Sequence, residues 1–247
     1  AATAADKAKR LSGHPDSIRY LGQSQQRANP DATIGFIDRG DTPLLSDFAE
    51  SVQGFGTSDN EPFIRVFWEV PSVDSRWVFA QSAADRTGAY EGRHNILLWE
   101  DGEGMYAAHV ERLRAEGRST GWKSGQKVWG HWGVSIAEMS QMHGTLYTGE
   151  MYDNTAHVLL PKDANHLPAV WAFFETGELV RTLRQTHRGL KVSNRAVGHV
   201  PFDLAHWQKV ATKKYPDGLP EPESDDPTQW LFHGWPKVNE PAGGAEP

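Results

Sequence analysis

The residues that could carry chemistry in this chain are its histidines and carboxylates, because imidazole binds metals and titrates near neutral pH. There are eleven histidines, but no His-Glu-x-x-His motif occurs. The pairs His157/His166 and His199/His206 are separated by predicted turns or strand-to-helix boundaries rather than by one helical turn. The chain has no cysteine, which excludes disulfides and thiolate zinc sites. The sequence therefore predicts no metal site.

Two hydrolytic arrangements can be drawn from the remaining polar residues. One would combine His143, Glu150 and Asp153, and the other would combine Ser193 with two flanking histidines. Their spacing fixes no shared geometry, and the acid-x-Lys pattern of many nucleases does not follow either Pro-Asp pair in a strand context. We predict no catalytic residue in this chain, and a hydrolase with an unrecognised site remains the weakest alternative.

Positive charge is concentrated in two stretches, although the net charge of the whole chain is -7. Five basic residues and one glutamate lie between Arg112 and Lys127, and five basic residues without an acid lie between Arg181 and Arg195. Seven acidic residues and one lysine lie in the tail from Asp217 to Pro247, which carries most of the negative charge. Both basic stretches are candidates for binding phosphates, and the alternative for each is a solvated helix face.

The segment Gly54–Val70 joins a Gly-rich turn to a strand-like run. We expect Ile64, Val66, Trp68 and Val70 on one face of a strand and Arg65 on the other. The turn and strand resemble the start of target recognition in large single-chain DNA adenine methylases. These include type IIG restriction-modification enzymes and the methylases of BREX and DISARM phage-defence systems.

The resemblance covers roughly residues 30 to 235 and depends on the order and spacing of several pieces. Beyond Val70, these are Trp77 in a short strand, Asn95–Trp99, Gly130–Ala137, Thr145–Pro161, Leu167–Gln185 and Leu190–Ala211. The resemblance implies that double-stranded DNA is the ligand and that a methyltransferase domain of the same polypeptide is the partner. With the basic stretches it indicates these DNA-binding residues: Asn60, Arg65, Lys123, Lys127, Trp129, Lys191, Asn194 and Arg195.

The methylating motifs of that family do not occur in this chain. The family's Asn-Pro-Pro-Tyr/Phe motif is not found, and Asn29-Pro30 is followed by Asp31 and Ala32. Gly54-Phe55-Gly56 does not continue as G-x-G-x-x-G. We therefore expect no cofactor in this chain, with S-adenosylmethionine held by the parent's catalytic domain. Because the sequence begins with Ala1 and ends in a Pro/Gly/Glu-rich tail, we expect a piece of a larger protein.

Apolar spacing and turn residues predict the elements. Helices are expected from Thr42 to Val52, around Tyr106–Leu113, from Pro168 through Leu183 with a break at Gly177, and from an Asp203 cap through Val210. Val128–Ile136 is expected to be a strand, and so is the segment with Lys191, Asn194 and Arg195. Of ten tryptophans, Trp68, Trp99, Trp171 and Trp207 fall at periodic apolar positions and are expected in the core.

The predicted class is α+β, with a curved, mainly antiparallel sheet and helices packed on one side, as the resemblance to target-recognition domains also implies. We expect a linker or the end of a preceding domain over residues 1–40, the recognition-like domain over 41–215, and an acidic tail over 216–247. An aromatic docking cluster is expected around Trp230, Phe232 and Trp235 in that tail. No apolar run approaches the ~20 residues of a membrane helix, so we predict a cytoplasmic protein without membrane contact.

Two functions fit these observations. The first is a DNA-binding, sequence-specificity segment of an N6-adenine DNA methyltransferase in restriction-modification or phage defence. The second is a standalone protein-interaction module of a defence system that docks through the aromatic tail and acidic surface.

Overall fold

The computed structural model describes residues 3–13, 20, 22–27, 42–187 and 189–222. The chain divides into two compact units, Ala1–Gly40 and Asp41–Pro247. The described part of the first unit contains the helices α1 (Ala4–Gly13) and α2 (Gln23–Arg27). The predicted aromatic docking cluster of the tail lies outside the described residues.

The second unit has an α+β fold with two mostly antiparallel sheets, which confirms the predicted class. Its helices are α3 (Leu45–Phe48), α4 (Met105–Ala115), α5 (Leu167–Glu175), α6 (Glu178–Thr186), α7 (Asn194–Gly198) and α8 (Leu204–Lys214). Its strands are β1 (Ala49–Gln53), β2 (Ile64–Val66), β3 (Trp77–Gln81), β4 (Asn95–Leu98), β5 (Gly133–Ala137), β6 (Gly144–Tyr147), β7 (Met151–Tyr152) and β8 (Ala156–Pro161).

The first sheet has the strand order β1-β8-β5-β6, and all of its pairings are antiparallel. Its two faces follow from the register, because residues directly opposite each other share a face. Val134 and Leu159 are paired and belong to the larger core, together with Trp171 and Phe173 of α5. The helices α5 and α6 thus cover one face, as predicted.

The opposite face of the first sheet packs against the second sheet. Val52 and Val158 are paired across β1 and β8, and both lie in one buried cluster with Tyr152 of β7. The second sheet has the order β2-β4-β3-β7, with one parallel pairing between β3 and β7. The second unit therefore contains two packed sheets, rather than the single sheet that we expected, and α4 packs with strands of the second sheet in a separate core cluster.

A buried arginine joins the layers. Arg93 donates a hydrogen bond of 2.8 Å to the Leu146 carbonyl oxygen and one of 3.0 Å to Thr148, and it forms an ion pair with Glu150. Burial lowers the pKa of Arg93 to about 9, which leaves the guanidinium charged at neutral pH.

The late helices agree with their predicted boundaries. Asp203 accepts a 3.0 Å hydrogen bond from the His206 amide and so caps α8, as its sequence position indicates. Gly177 separates α5 from α6 in a left-handed conformation. No helix among the described residues is both long enough and apolar enough to cross a lipid bilayer.

Several local predictions are wrong. The helix expected from Thr42 to Val52 is one turn, Leu45–Phe48, because the following residues pair with β8 along five positions. Tertiary pairing here overrides the helical spacing. The strand expected over Phe63–Val70 ends at Val66, where Glu69 accepts a 3.2 Å hydrogen bond from the Val66 amide and closes a 3-10 turn.

Trp68 lies on that 3-10 turn and is 62% exposed, so it is not a core residue. Trp171 is buried as predicted, whereas Trp99 and Trp207 are partly buried against the core clusters. The strand expected from Val128 begins only at Gly133, because Gln126–Val128 is a 3-10 turn and Gly130 has a left-handed backbone with φ of 76°.

Candidate nucleic-acid interface

A groove of about 490 Å³ lies beside the edge strand β1, where β1, the end of β8 and α7 meet. Its polar lining consists of Ser46, Glu50, Ser51, Lys162, Asn194, Arg195 and His199. We call this feature the β1 groove. Among the described residues that line it, Glu50 is the one acid, and it accepts a hydrogen bond from the Lys127 ammonium; Lys162 and Arg195 are basic lining residues. The charge around the β1 groove suits a phosphate-bearing ligand.

The short helix α7 positions Arg195. Ser193 accepts a 3.3 Å hydrogen bond from the Ala196 amide and so caps the helix. The strand expected over Lys191, Asn194 and Arg195 is therefore wrong, because a serine N-cap competes locally with extended backbone. Arg195 is exposed on the first turn of α7 and lines the β1 groove.

A buried polar group lies next to the β1 groove, and we call it the Glu138 cluster. Its members are Ser51, Gln53, Glu138, His157, Lys191 and Asn194. The side chain of Glu138 is only 4% exposed; it lies 2.8 Å from the Lys191 ammonium and accepts a hydrogen bond from Gln53. The Val192 amide also donates a 2.9 Å hydrogen bond to the Glu138 carbonyl oxygen. Glu138 thus attaches the segment before α7 to the end of β5.

Asn194 attaches the same segment to β1 and β8. Its side-chain oxygen accepts a 2.9 Å hydrogen bond from Ser51, and its side chain also interacts with His157. The amide of Asn194 is therefore engaged within the protein, so reading adenine would require it to break these bonds. Arg195, the next residue, is exposed on α7 and lines the β1 groove.

His157 is buried within the Glu138 cluster, and its Nε2 lies 2.9 Å from the Val192 carbonyl oxygen. Burial lowers the pKa of His157, and the hydrogen bond to Val192 and the nearby Glu138 oppose this effect only in part. The neutral ring that donates through Nε2 is thus the form that the folded protein favours at neutral pH.

We expect this histidine to make the fold sensitive to mild acid. Because the folded-state pKa lies below the ordinary value of 6.5, its contribution to stability is complete above pH 6.5 and is lost as the pH falls below that value. Urea unfolding between pH 7.5 and 5 should show a smaller decrease in unfolding free energy for His157→Gln than for the wild type. His206→Gln, at an exposed position on α8, is the matched control. Equal pH dependence in all three proteins would contradict the assignment.

The predicted residues before β2 have local structural roles. Asn60 accepts a hydrogen bond from Thr57, and its carbonyl oxygen accepts the amides of Phe63 and Ile64 at 3.0 and 2.8 Å. Arg65 donates to the carbonyl oxygens of Glu61 and Ile64. Neither Asn60 nor Arg65 lines the β1 groove. These contacts give both residues a local structural role in the turn, and their contact with DNA stays a prediction.

The predicted residues of the first basic stretch fall into three environments. Lys127 reaches the β1 groove through Glu50. Lys123 is exposed, and its ammonium lies 4.3 Å from the ring centroid of Trp122. Trp129 is partly buried against the core, and its ring is roughly perpendicular to that of Trp99 at a centroid distance of 5.8 Å.

The residues at the β1 groove that sequence reasoning did not predict as binding residues include Lys162, His199 and, beside the groove, Glu138. Lys162 directly follows β8, and its position opposite β1 depends on a pairing over more than 100 residues that the predicted helix at 42–52 concealed. In the sequence, Glu138 belongs to no motif that we identified. No pattern signals that a single glutamate becomes buried by long-range contacts.

No protein-family model matches the chain, and a search of curated proteins gives no match. Within the described ranges, no three histidine, aspartate or glutamate side chains are grouped so that they could hold a metal ion.

Proposed function

We propose that this chain is the DNA-binding, sequence-specificity segment of an N6-adenine DNA methyltransferase that acts in bacterial restriction-modification or phage defence. It would act in the cytoplasm, bind double-stranded DNA and present the target adenine to a methyltransferase domain of the same polypeptide. S-adenosylmethionine would be bound by that domain. The sequence resemblance supports the assignment to this class of methylase.

The observation that carries the proposal is the position of Arg195 in the β1 groove. Arg195 lies on the first turn of α7, which Ser193 caps. The residues on either side of Ser193 are attached to the sheet by Glu138, Ser51 and His157. A long, flexible arginine gains specificity when its backbone is fixed, because less entropy is lost on binding. Arginine pairs with the O6 and N7 atoms of guanine in the major groove.

The two lysines at the β1 groove have a different expected role. Lys162 and Lys127 are both exposed, and Lys127 is paired with Glu50 at the surface. Exposed ion pairs contribute little, so Lys127 can exchange Glu50 for a phosphate at small cost. Lysines that contact phosphates supply affinity without sequence information.

The test compares Arg195→Ala with Lys162→Ala in the 247-residue chain. Binding to a randomised duplex pool, followed by selection and sequencing, should show that Arg195→Ala loses base preference at one position, at a cost of ~1–3 kcal/mol. Lys162→Ala should weaken binding to all duplexes alike and reduce the salt slope by about 0.9.

Lys209→Ala is the control, because Lys209 is an exposed lysine on α8 that does not line the β1 groove. Failure of the wild-type chain to bind duplex DNA at 50 mM salt would contradict the proposal. An unchanged base preference in Arg195→Ala would remove Arg195 from the reading surface.

A further inference from the structure

A second cationic surface is formed by α4 and the loop that follows it, and its residues Arg114, Trp122 and Lys123 do not line the β1 groove. At its centre is Trp122. The Lys123 ammonium lies 4.3 Å from the centroid of this indole, and the Arg114 guanidinium lies 5.9 Å from the same ring. Two cations from different elements therefore converge on one aromatic side chain.

The indole is fixed by the core beneath it. Trp122 packs against Trp99 at a centroid distance of 5.6 Å and against the buried Tyr106 at 6.0 Å. The loop itself is joined to the Gly-rich turn, because the Gly56 amide donates a 3.1 Å hydrogen bond to the Gly121 carbonyl oxygen. Trp122 is therefore a rigid support rather than a mobile surface ring.

The charge that each cation can offer to a ligand depends on whether it contacts a carboxylate or an aromatic ring. A carboxylate neutralises a cation, whereas an aromatic ring attracts it through the quadrupole and leaves its full charge. Among the described residues, Lys123 forms no ion pair. Within the described ranges, the one ion pair of Arg114 is with Glu111, three residues away on the same helix, at 2.6 Å. Such a surface pair is weak and exchangeable.

We infer that Arg114, Trp122 and Lys123 form an anion-binding site for a backbone phosphate of duplex DNA, separate from the β1 groove. Each cation lies against the Trp122 ring, which does not neutralise it, and we infer that one phosphate contacts both. The inference rests on the proposed function for the identity of the ligand, and it adds a second point of attachment for the same duplex.

The experiment measures duplex binding by fluorescence anisotropy as a function of salt, using the full 247-residue chain. Arg114→Ala and Lys123→Ala should each raise Kd about 3- to 10-fold at 50 mM salt and reduce the salt slope by up to about 0.9. Base preference should not change in either variant. Lys209→Ala again serves as the control, because it removes the same charge elsewhere.

Trp122→Leu tests the support itself. It retains both cations but removes the ring that holds them, so Kd should rise about 2- to 5-fold while the net charge stays the same. Because Trp122 also packs against the core, circular dichroism must show a folded protein. Arg114→Gln and Lys123→Gln, both at exposed positions, keep the test decisive if Trp122→Leu does not fold.

Two further arms separate the sources of phosphate. In the first arm, the phosphates of one DNA strand are replaced by neutral methylphosphonates. The Kd values of the wild type and Lys123→Ala should then differ less than they do for the unmodified duplex. Inorganic phosphate at constant ionic strength should not compete at submillimolar concentration. Strong competition that depends on Lys123 would overturn the assignment to DNA, because the site would then serve a free phosphate compound.

The failure of this inference is distinguishable from failure of the proposed function. If Arg114→Ala and Lys123→Ala bind as tightly as the wild type while Arg195→Ala loses base preference, the second site is refuted and the β1 groove is not. If the wild-type chain does not bind duplex DNA, the proposed function and this inference both fail.

Discussion

Gly54→Ala should lower the free energy of unfolding by about 3 kcal/mol or more, and we expect it to yield little folded protein. A Cβ atom at this position would overlap the carbonyl oxygens of Tyr152 and Asp153 and would lie 2.6 Å from the Asp153 carbonyl carbon. These are backbone atoms of the turn after β7, which cannot move aside as a flexible side chain could. The adjacent Phe55 amide also donates a 2.9 Å hydrogen bond to Tyr152.

Gly56→Ala is the matched control in the same turn. A Cβ atom there would meet only the side-chain amide of Asn154, at 3.0 Å, and that exposed side chain can rotate away. Chemical denaturation followed by tryptophan fluorescence should therefore give a midpoint close to that of the wild type for Gly56→Ala and a much lower one for Gly54→Ala. Equal stability of the two variants would show that the chain at 152–153 yields to the new methyl group.

The Gly-rich turn also shows what sequence reasoning could and could not provide. The glycines and the following apolar run correctly indicated a loop feeding a strand. The reason for Gly54 is close packing against the backbone at Tyr152–Asp153, whereas Gly56 forms an isolated bridge with Gly121 and has only the Asn154 side chain near its Cβ position. Contacts over 65 to 100 residues leave no local pattern, so the sequence alone could not separate this cause from a DNA-positioning loop.

The same distinction runs through the rest of the fold. Helices with an apolar stripe and a local stop signal, such as α4, α5 and α8, could be predicted because their determinants lie within one or two turns. The strand Ala49–Gln53 could not be predicted, because the residues before it have helical spacing and it pairs with β8, which is distant in the sequence. This error concealed the edge of the first sheet and therefore the β1 groove.

For the candidate site, charge clustering identified Lys127 and Arg195, while burial decided the roles of their neighbours. Lys191 and Asn194 belong to the same basic stretch as Arg195, but the structure engages both with buried partners. The sequence gives the number of charged residues in a stretch, but not the groups that each one contacts in the folded protein. The fold shows that the buried Glu138 carboxylate already pairs with the charge of Lys191.

Lys191 therefore provides a test of structure against composition, through its pair with Glu138. We expect Glu138→Gln to lower the free energy of unfolding by about 2 kcal/mol, because a charged acceptor of hydrogen bonds from Lys191 and Gln53 is lost in a buried position. This loss of unfolding free energy is smaller than for a fully buried ion pair, because the Lys191 side chain is 64% exposed and can reach water.

Lys191→Met should also destabilise the protein, since Glu138 is then buried with its charge uncompensated by the lysine. In a double-mutant cycle of Glu138→Gln and Lys191→Met, the two effects should not add, and the coupling should be about 1 kcal/mol. The pair Lys209→Met and Glu138→Gln is the control, because exposed Lys209 is on α8 and has no contact with the cluster, so these effects should add.

The effect on DNA binding separates an attachment role from direct phosphate contact. If Lys191 held a phosphate, Lys191→Met would reduce the salt slope by about 0.9, as expected for Lys162→Ala. We instead expect Lys191→Met and Glu138→Gln to weaken binding to a similar extent, with the salt slope nearly unchanged, because each loosens the segment that positions Arg195. A reduced slope in Lys191→Met together with an unaffected Glu138→Gln would show that Lys191 contacts DNA directly, and the attachment role assigned to the Glu138 cluster would be wrong.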